Sequence, residues 1–283
     1  MEIISSISEL RQRLCGEISI AFVPTMGNLH EGHLNLVKLA REHGNCVVAS
    51  IFVNPLQFGP SEDFDKYPRT LEADCAKLQG LADVVFAPSA SEMYPAQQTV
   101  FVEPPPVANE LCGASRSGHF RGMATVVLKL LNIVQPQVAL FGKKDYQQLH
   151  IIRQMVVQLN LPVAIVGGET VRAADGLALS SRNQYLSAGE RSEAVFLYRT
   201  LQGMKQAILQ GERDFERLQE RAVELLAARG WLPDYVAVRN QSDLQPASPV
   251  QGNSVQHELV ILVAAWLGNT RLLDNVEVCL ADC

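Results

Sequence analysis

His30 and His33 stand three residues apart in the run PTMGNLHEGH, residues 24–33, between an apolar segment and a helical pattern. At that spacing both rings share a face of a first helical turn. The N–H groups of such a turn and the helix dipole favour an anion. Gly27 permits a tight turn and a close backbone approach. Two imidazole donors beside helix-end amides suit a polyphosphate that gains charge during a reaction. Two other readings compete: packed or solvated histidines with no chemistry, or a zinc pair. A zinc helix of the HExxH type uses i, i+4 with a glutamate between. The spacing here is i, i+3 and no third ligand is evident, so phosphate is preferred.

Other polar groups sit where apolar runs end. Asn54 and Gln57, in FVNPLQF, are amides able to hydrogen-bond a small polar ligand without adding charge. Asn-Pro is equally a common turn pair. Arg121, in GHFRG, either faces a carboxylate or phosphate or is a surface arginine. In FGKKD, Lys144 offers a compact positive charge to phosphate oxygens. Asp145 favours a helix dipole or helps to hold Mg²⁺. Gln148 lies four residues beyond Lys144, on the same face if the helix has begun. Ser180, Ser181 and Arg182 can grip phosphates through charge-assisted hydrogen bonds, or form an ordinary turn. No Ser-His-Asp or Cys-His arrangement for covalent catalysis stands out.

The elements that must position these groups alternate. Residues 18–23 read as a buried strand closed by Pro24, followed by a helix with Leu34, Val37 and Ala40 on one side. Residues 46–53 are a second strand, 70–81 a helix, and 83–86 a strand. A helix over 122–134, a strand over 138–141, a helix over 146–159 and a strand over 163–166 follow. This predicts an α/β fold, a parallel sheet with helices on both faces. Ligands then bind beyond the carboxyl ends of strands, just after Val23, Val53 and Phe141. Near residue 176 the character changes. Ser187 and Glu190 form the S-x-x-E pattern of a capping box, opening a helix to about residue 209. A helix over 214–229 and strands over 235–238, 259–264 and 276–278 complete a smaller α+β domain, with a hydrophilic loop over 240–257.

Composition sets bounds. The chain has 283 residues, 47% hydrophobic and 19% charged, enough apolar material for a sizeable core. No apolar run reaches the roughly 18–20 residues of a membrane span, and the first residues lack the pattern of a signal peptide. A cytoplasmic protein without a membrane partner is expected. The six cysteines are scattered and form no CxxC, which argues against a zinc site or disulfide framework. Cys279 and Cys283 are expected to be ordinary thiols. A net charge of −6 argues against nucleic acid as a partner, so anionic substrates need a local cluster of donors.

HxGH after a first strand resembles the nucleotidyltransferase superfamily, whose members attack a nucleotide α-phosphate and expel pyrophosphate. The longer string, with FVNPLQF, GHFRG, FGKKD, DGLALSSRN (175–183), ILVAAWLG (261–268) and TRLLDN, resembles the pantothenate synthetase family over nearly the whole chain. The likeness weakens between residues 240 and 257. It implies a Rossmann-like domain over residues 1–176 that binds ATP and pantoate. A reactive adenylate must be kept from water, and residues 179–183 lie at the domain junction, so the domain over 177–283 is expected to act as a lid. It implies an ATP-dependent ligase that joins pantoate to β-alanine through a pantoyl adenylate, with Mg²⁺, as a cytoplasmic homodimer. By the same likeness the ATP site comprises Met26, Gly27, Asn28, Leu29, His30, Glu31, Gly32, His33, Gly142, Lys143, Lys144, Asp145, Val171, Leu179, Ser180, Ser181 and Arg182. Asn54, Gln57, Arg121 and Gln148 would contact pantoate or β-alanine, and His30, His33 and Lys144 would be catalytic. Val171 matches a residue near the adenine. Lys143 departs from the acidic residue often found there. A transferase making a CDP- or ADP-linked product would share HxGH without needing the FVNPLQF amides. A non-catalytic nucleotide-binding module would have lost the charged groups that are present here.

Overall fold

A run such as CVVASI has no polar face, so it is stable as a strand only in a sheet covered on both sides. In the computed structural model, which describes residues 1–60, 62, 64–248 and 258–280, six such runs form one sheet. They are β1 Glu2–Ile4, β2 Ile20–Thr25, β3 Cys46–Ile51, β4 Val84–Phe86, β5 Val138–Gly142 and β6 Ala164–Gly168, in the order β1-β4-β3-β2-β5-β6. Every pairing is parallel. Consecutive residues of β2 and β3 are buried, so neither face of the sheet centre meets solvent. The chain steps from β2 outward through β3 and β4, then returns to the other side of β2 for β5 and β6. The carboxyl ends of β2 and β5 therefore flank the point where strand order reverses, the usual ligand crevice of such sheets.

Two local expectations need correction. Residues 18–23 were to close at Pro24, yet β2 continues through Pro24 to Thr25 in register with Ser50 and Ile51. Backbone groups alternate along the strand. Ser19 O accepts from Cys46 N on the β3 side, while Ile20 O accepts from Gln137 N on the β5 side. Pro24 thus turns its missing donor toward β5, where pairing has ended at Phe22–Ala139. The sheet also begins earlier than expected. β1 is an edge strand beside β4, followed by the helix Ile7–Leu14 with Ser6 as its cap. A three-residue strand is too short to show a period.

The chain divides into two compact units. The first comprises Met1–Ala108, Arg116–Lys143 and Gln148–Val171; the second comprises Asn109–Ser115, Lys144–Gln147 and Arg172–Cys283. The second unit contains an antiparallel sheet of β7 Leu232–Asn240, β8 Glu258–Leu267 and β9 Thr270–Cys279. Its helix Ala188–Leu209 opens on the predicted capping box: Glu190 N donates to Ser187 Oγ (3.3 Å) and Ser187 N to Glu190 Oε2 (2.8 Å). Trp231, Leu201, Leu226 and Ile261 lie in its core. β9 is far longer than residues 276–278, because it turns directly from β8 and buries Asp274 and Asn275. Two polar residues in mid-strand hide its character until their partners are known.

Among the described residues no helix is long and apolar enough to cross a membrane. Cys15, Cys46, Cys75, Cys112 and Cys279 are free thiols. Cys283 and residues 249–257 of the hydrophilic loop lie outside the described residues.

Candidate active site

The loop after β2 delivers both histidines to the start of the helix Glu31–Ala40, whose buried side is Leu34, Val37 and Ala40 as the pattern predicted. His30 is the helix cap. Its Nδ1 accepts the Gly32 N–H (3.1 Å), and His33 Nδ1 accepts the His30 N–H (3.3 Å). The rings lie 4.1 Å apart, centre to centre. A backbone N–H can only donate, so each Nδ1 is an acceptor, and the proton of the neutral ring resides on Nε2. The pair therefore presents two Nε2–H donors in fixed orientation. A Cβ on Gly32 would meet the His30 ring at 2.8 Å, which explains the small residue between the histidines.

The expectation of open amides at this turn is corrected. The Gly27 N–H goes to Thr25 Oγ1 (3.2 Å), and those of Asn28 and Leu29 go to the buried Asp74 (2.8 Å each). With the Gly32 and His30 amides held by imidazoles, most backbone donors of 27–32 already have protein partners. Met26 is half-buried, and Glu31 is exposed on the first helical turn. Sequence reasoning missed Asp74, whose only signal was a carboxylate on the inner face of a short helix.

After β3, Asn54 caps the short 3-10 turn Pro55–Gln57. Its Oδ1 accepts from Leu56 N (3.3 Å) and Tyr94 Oη (2.7 Å), and its Nδ2 donates to Gly122 O (3.2 Å) and Gln57 Oε1 (3.1 Å). Backbone partners fix the polarity of this amide, and it in turn fixes that of Gln57. Gln57 must offer its NH₂, which also reaches Met26 Sδ at 3.0 Å. Asn54, 1% exposed, has all four of its hydrogen-bonding positions filled by protein groups, one of them Gln57. Burial raises the Tyr94 phenol well above its ordinary pKa, keeping it a donor to Asn54.

Residues 116–122, which include GHFRG, clamp this turn. Arg116 pairs with Glu62 through two bonds (2.9 and 2.7 Å) and donates to His119 Nε2 (3.0 Å). Arginine cannot accept, so His119 carries its proton on Nδ1 and donates it to Gln57 O (2.8 Å). A Cβ on Gly122 would overlap the carbonyl of Leu56. Gly122→Ala is therefore expected to destabilise by about 1–3 kcal/mol, read as a lowered midpoint in urea unfolding. An unchanged midpoint would mean that the turn yields freely. Arg121 lies exposed, 3.2 Å from Glu103 and stacked at 4.0 Å on Phe101.

Elsewhere in the first unit, Gly142 ends β5 and Lys143 pairs with Glu169 at 2.6 Å. Gln148 is half-buried, the third residue of the helix Tyr146–Gln158. Val171 is half-buried, its Cβ 4.0 Å from the position a Cβ would take on Gly32.

In the second unit Lys144, Asp145, Ser180 and Arg182 line one solvent-open cleft, with Asn183, Arg271 and Asp274. Ser180 caps the 3-10 turn Ser181–Tyr185 by accepting from Arg182 N (3.3 Å), and Leu179 and Ser181 flank it in the chain. β9 anchors this cleft. Asn275 Nδ2 donates to Lys144 O (2.8 Å). Asp274, buried, holds the Arg172 guanidinium through two bonds (2.6 and 2.8 Å), and Arg172 stacks on Tyr198 at 3.8 Å. Neither Asp274 nor Asn275 was singled out from the sequence as a site residue. Among the described residues no group of three or more His, Cys, Asp or Glu is placed to hold a metal ion.

The family profile described as pantoate-beta-alanine ligase matches residues 2–277. A pantothenate synthetase of Nitrosospira multiformis is 59% identical over 280 residues, 98% of either chain. A crystal structure of pantothenate synthetase from Thermus thermophilus superposes with a TM-score of 0.91 at 46% identity, covering 99% of this chain and 100% of that one. A pantoate-beta-alanine ligase from Francisella tularensis, solved with beta-gamma ATP and beta-alanine, gives a TM-score of 0.78 at 35% identity, covering 98% and 97%.

Proposed function

This chain belongs to the pantoate-beta-alanine ligase family, and from that premise we propose which of its residues carry each part of the reaction. The reaction condenses pantoate with β-alanine and converts ATP to AMP and pyrophosphate, by way of a pantoyl adenylate. A carboxylate is a poor acyl donor because oxide is a poor leaving group. Once joined to AMP it becomes a good one, and the amine of β-alanine attacks it.

The observation that carries the assignment is the histidine pair, whose Nδ1 atoms are tied to backbone amides so that both Nε2–H groups are donors. His30 and His33 donate to phosphate oxygens of ATP as negative charge grows on the departing pyrophosphate. Lys144, Ser180, Ser181 and Arg182 are assigned to phosphate oxygens as well. Met26, Gly27, Asn28, Leu29, Glu31, Gly32, Gly142, Lys143, Val171 and Leu179 shape the nucleotide site. Gln57, offering its NH₂, and Gln148 orient pantoate. Asn54 acts through Gln57. Arg121 meets a substrate carboxylate on leaving Glu103, an exposed pair worth roughly 0–1 kcal/mol. The chemistry is positioning and charge neutralisation without a covalent enzyme intermediate.

Mg²⁺, a hard cation content with phosphate oxygens and water, suits Asp145 as its single protein carboxylate, because Asp274 is committed to Arg172. It would neutralise phosphate charge. Residues 177–283 are assigned the part of a lid that keeps water from the adenylate. Full turnover with residues 172–179 immobilised by a cross-link would remove that assignment. The protein is read as a cytoplasmic homodimer, and a monomer in sedimentation equilibrium would overturn the dimer.

The deciding experiment measures AMP formed from ATP, pantoate and β-alanine, with each omitted in turn. All three should be required for AMP release. Pyrophosphate should still form once per site from ATP and pantoate alone. A transferase making a nucleotide-linked product would not require β-alanine.

A further inference from the structure

We infer that Asp74 is a positioning residue for the imidazole pair, acting through the backbone of Asn28 and Leu29. The inference rests on the phosphate role of those histidines and deepens it.

Asp74 is fully buried (0% exposed) on the helix Leu71–Leu78. Its partners are two backbone amides, Asn28 N to Oδ2 and Leu29 N to Oδ1, each 2.8 Å, and the Thr70 hydroxyl at 3.0 Å. It pairs with no cation among the described residues. A buried carboxylate is tolerable only when donors fill it, and here the loop supplies two of the three. Gly27 (φ +84°) and Asn28 (φ +50°) are both left-handed. Consecutive amides turned onto one point make the kind of concavity that elsewhere receives a phosphate. In this chain an internal carboxylate occupies it.

One helical turn on, Lys77 Nζ donates to Leu29 O at 2.7 Å. The same short helix thus grips both the N–H and the C=O of Leu29, the residue before His30. A Cβ on Gly27 would stand 3.1 Å from Asp74 Oδ2, so the loop has little room to shift. The direction in which the chain enters His30, and hence where both Nε2–H groups point, is set by the helix Leu71–Leu78 before any ligand arrives. Preorganised donors stabilise a transition state without a reorganisation cost, and small misplacements are expensive in rate.

The test compares wild type with Asp74→Asn and Asp74→Ala, first without substrate. Amide hydrogen exchange of Asn28 and Leu29 should be slow in wild type and at least about tenfold faster in Asp74→Ala, with Asp74→Asn between. Second, pyrophosphate release is followed with enzyme in excess over ATP, pantoate present and β-alanine absent. The first-order rate constant should fall by roughly 10- to 100-fold in Asp74→Ala while the amplitude stays near full. A merely structural role would lower the amplitude, through loss of folded enzyme, and leave the rate constant unchanged. That result overturns the inference, as do rate constants within twofold of wild type in both variants. Should Asp74→Ala fail to fold, Asp74→Asn, which keeps one acceptor, decides alone. Wild type releasing no pyrophosphate would sink the phosphate reading instead, and the exchange data would still report whether Asp74 holds the loop.

Discussion

Lys144→Ala is expected to slow pyrophosphate release from ATP and pantoate by at least about 10²-fold in a single turnover, by analogy with the loss of one preorganised donor. The ammonium lines the cleft that also contains Ser180 and Arg182. As the bond to the α-phosphorus breaks, negative charge moves to the leaving pyrophosphate, and a fixed cation there lowers the barrier more than it stabilises the bound ATP. The substitution should not disturb the fold, since Asn275 holds Lys144 through its carbonyl, which alanine keeps. Thermal unfolding should shift by no more than about 0.5 kcal/mol. The second half-reaction offers the control. Preformed pantoyl adenylate has already lost pyrophosphate, so its reaction with β-alanine should slow less than about tenfold. Rapid-quench measurement of both halves separates the cases. A near-normal first half, or equal losses in both halves, would exclude a role in charge neutralisation. Lys144→Arg should not restore the rate, because a planar fork does not replace a compact point charge.

What could be read beforehand followed from local physics. Leu34, Val37 and Ala40 at helical spacing, Ser187 with Glu190 as a cap, and the apolar runs that became β3, β4 and β5 each announce themselves within a few residues. The positions of His30 and His33 after β2, and of Lys144 after β5, were legible for the same reason, because each follows such a run. What escaped were partners distant in sequence. Asp74 reaches Asn28 across 46 positions, and Asn275 reaches Lys144 across 131. Pro24 looked like a strand end because nothing local reveals that its missing donor faces an unpaired side. β9 looked polar because Asp274 is neutralised by Arg172, 102 positions away. Asn54 was legible as an amide at a strand end, but not its bonds to Gln57, Tyr94 and Gly122. Motifs are local in sequence, whereas a hydrogen-bond partner can come from any element that packs alongside.

The histidine pair allows the aiming and the chemistry to be pulled apart. His33 does two things with two nitrogens: Nδ1 accepts the His30 N–H, closing the helix cap, and Nε2 carries the donor assigned to phosphate. Asparagine places an oxygen near the Nδ1 position and nothing at Nε2. His33→Asn should therefore keep its stability yet lose at least about 10²-fold in the adenylation rate constant. Glutamine reaches farther and can set an N–H near the Nε2 position while leaving the cap unmade. His33→Gln should be less stable by about 1 kcal/mol, the usual worth of a cap, yet adenylate at least about tenfold faster than His33→Asn. Equilibrium unfolding and single-turnover pyrophosphate release measure the two quantities independently. If rate instead tracks stability across the pair, with Asn fast and Gln slow, the imidazole matters only as a cap. Phosphate charge would then have to be met by other groups. If both variants are slow and both are stable, neither amide has replaced the imidazole, and the requirement is for the ring itself, packed 4.1 Å from His30.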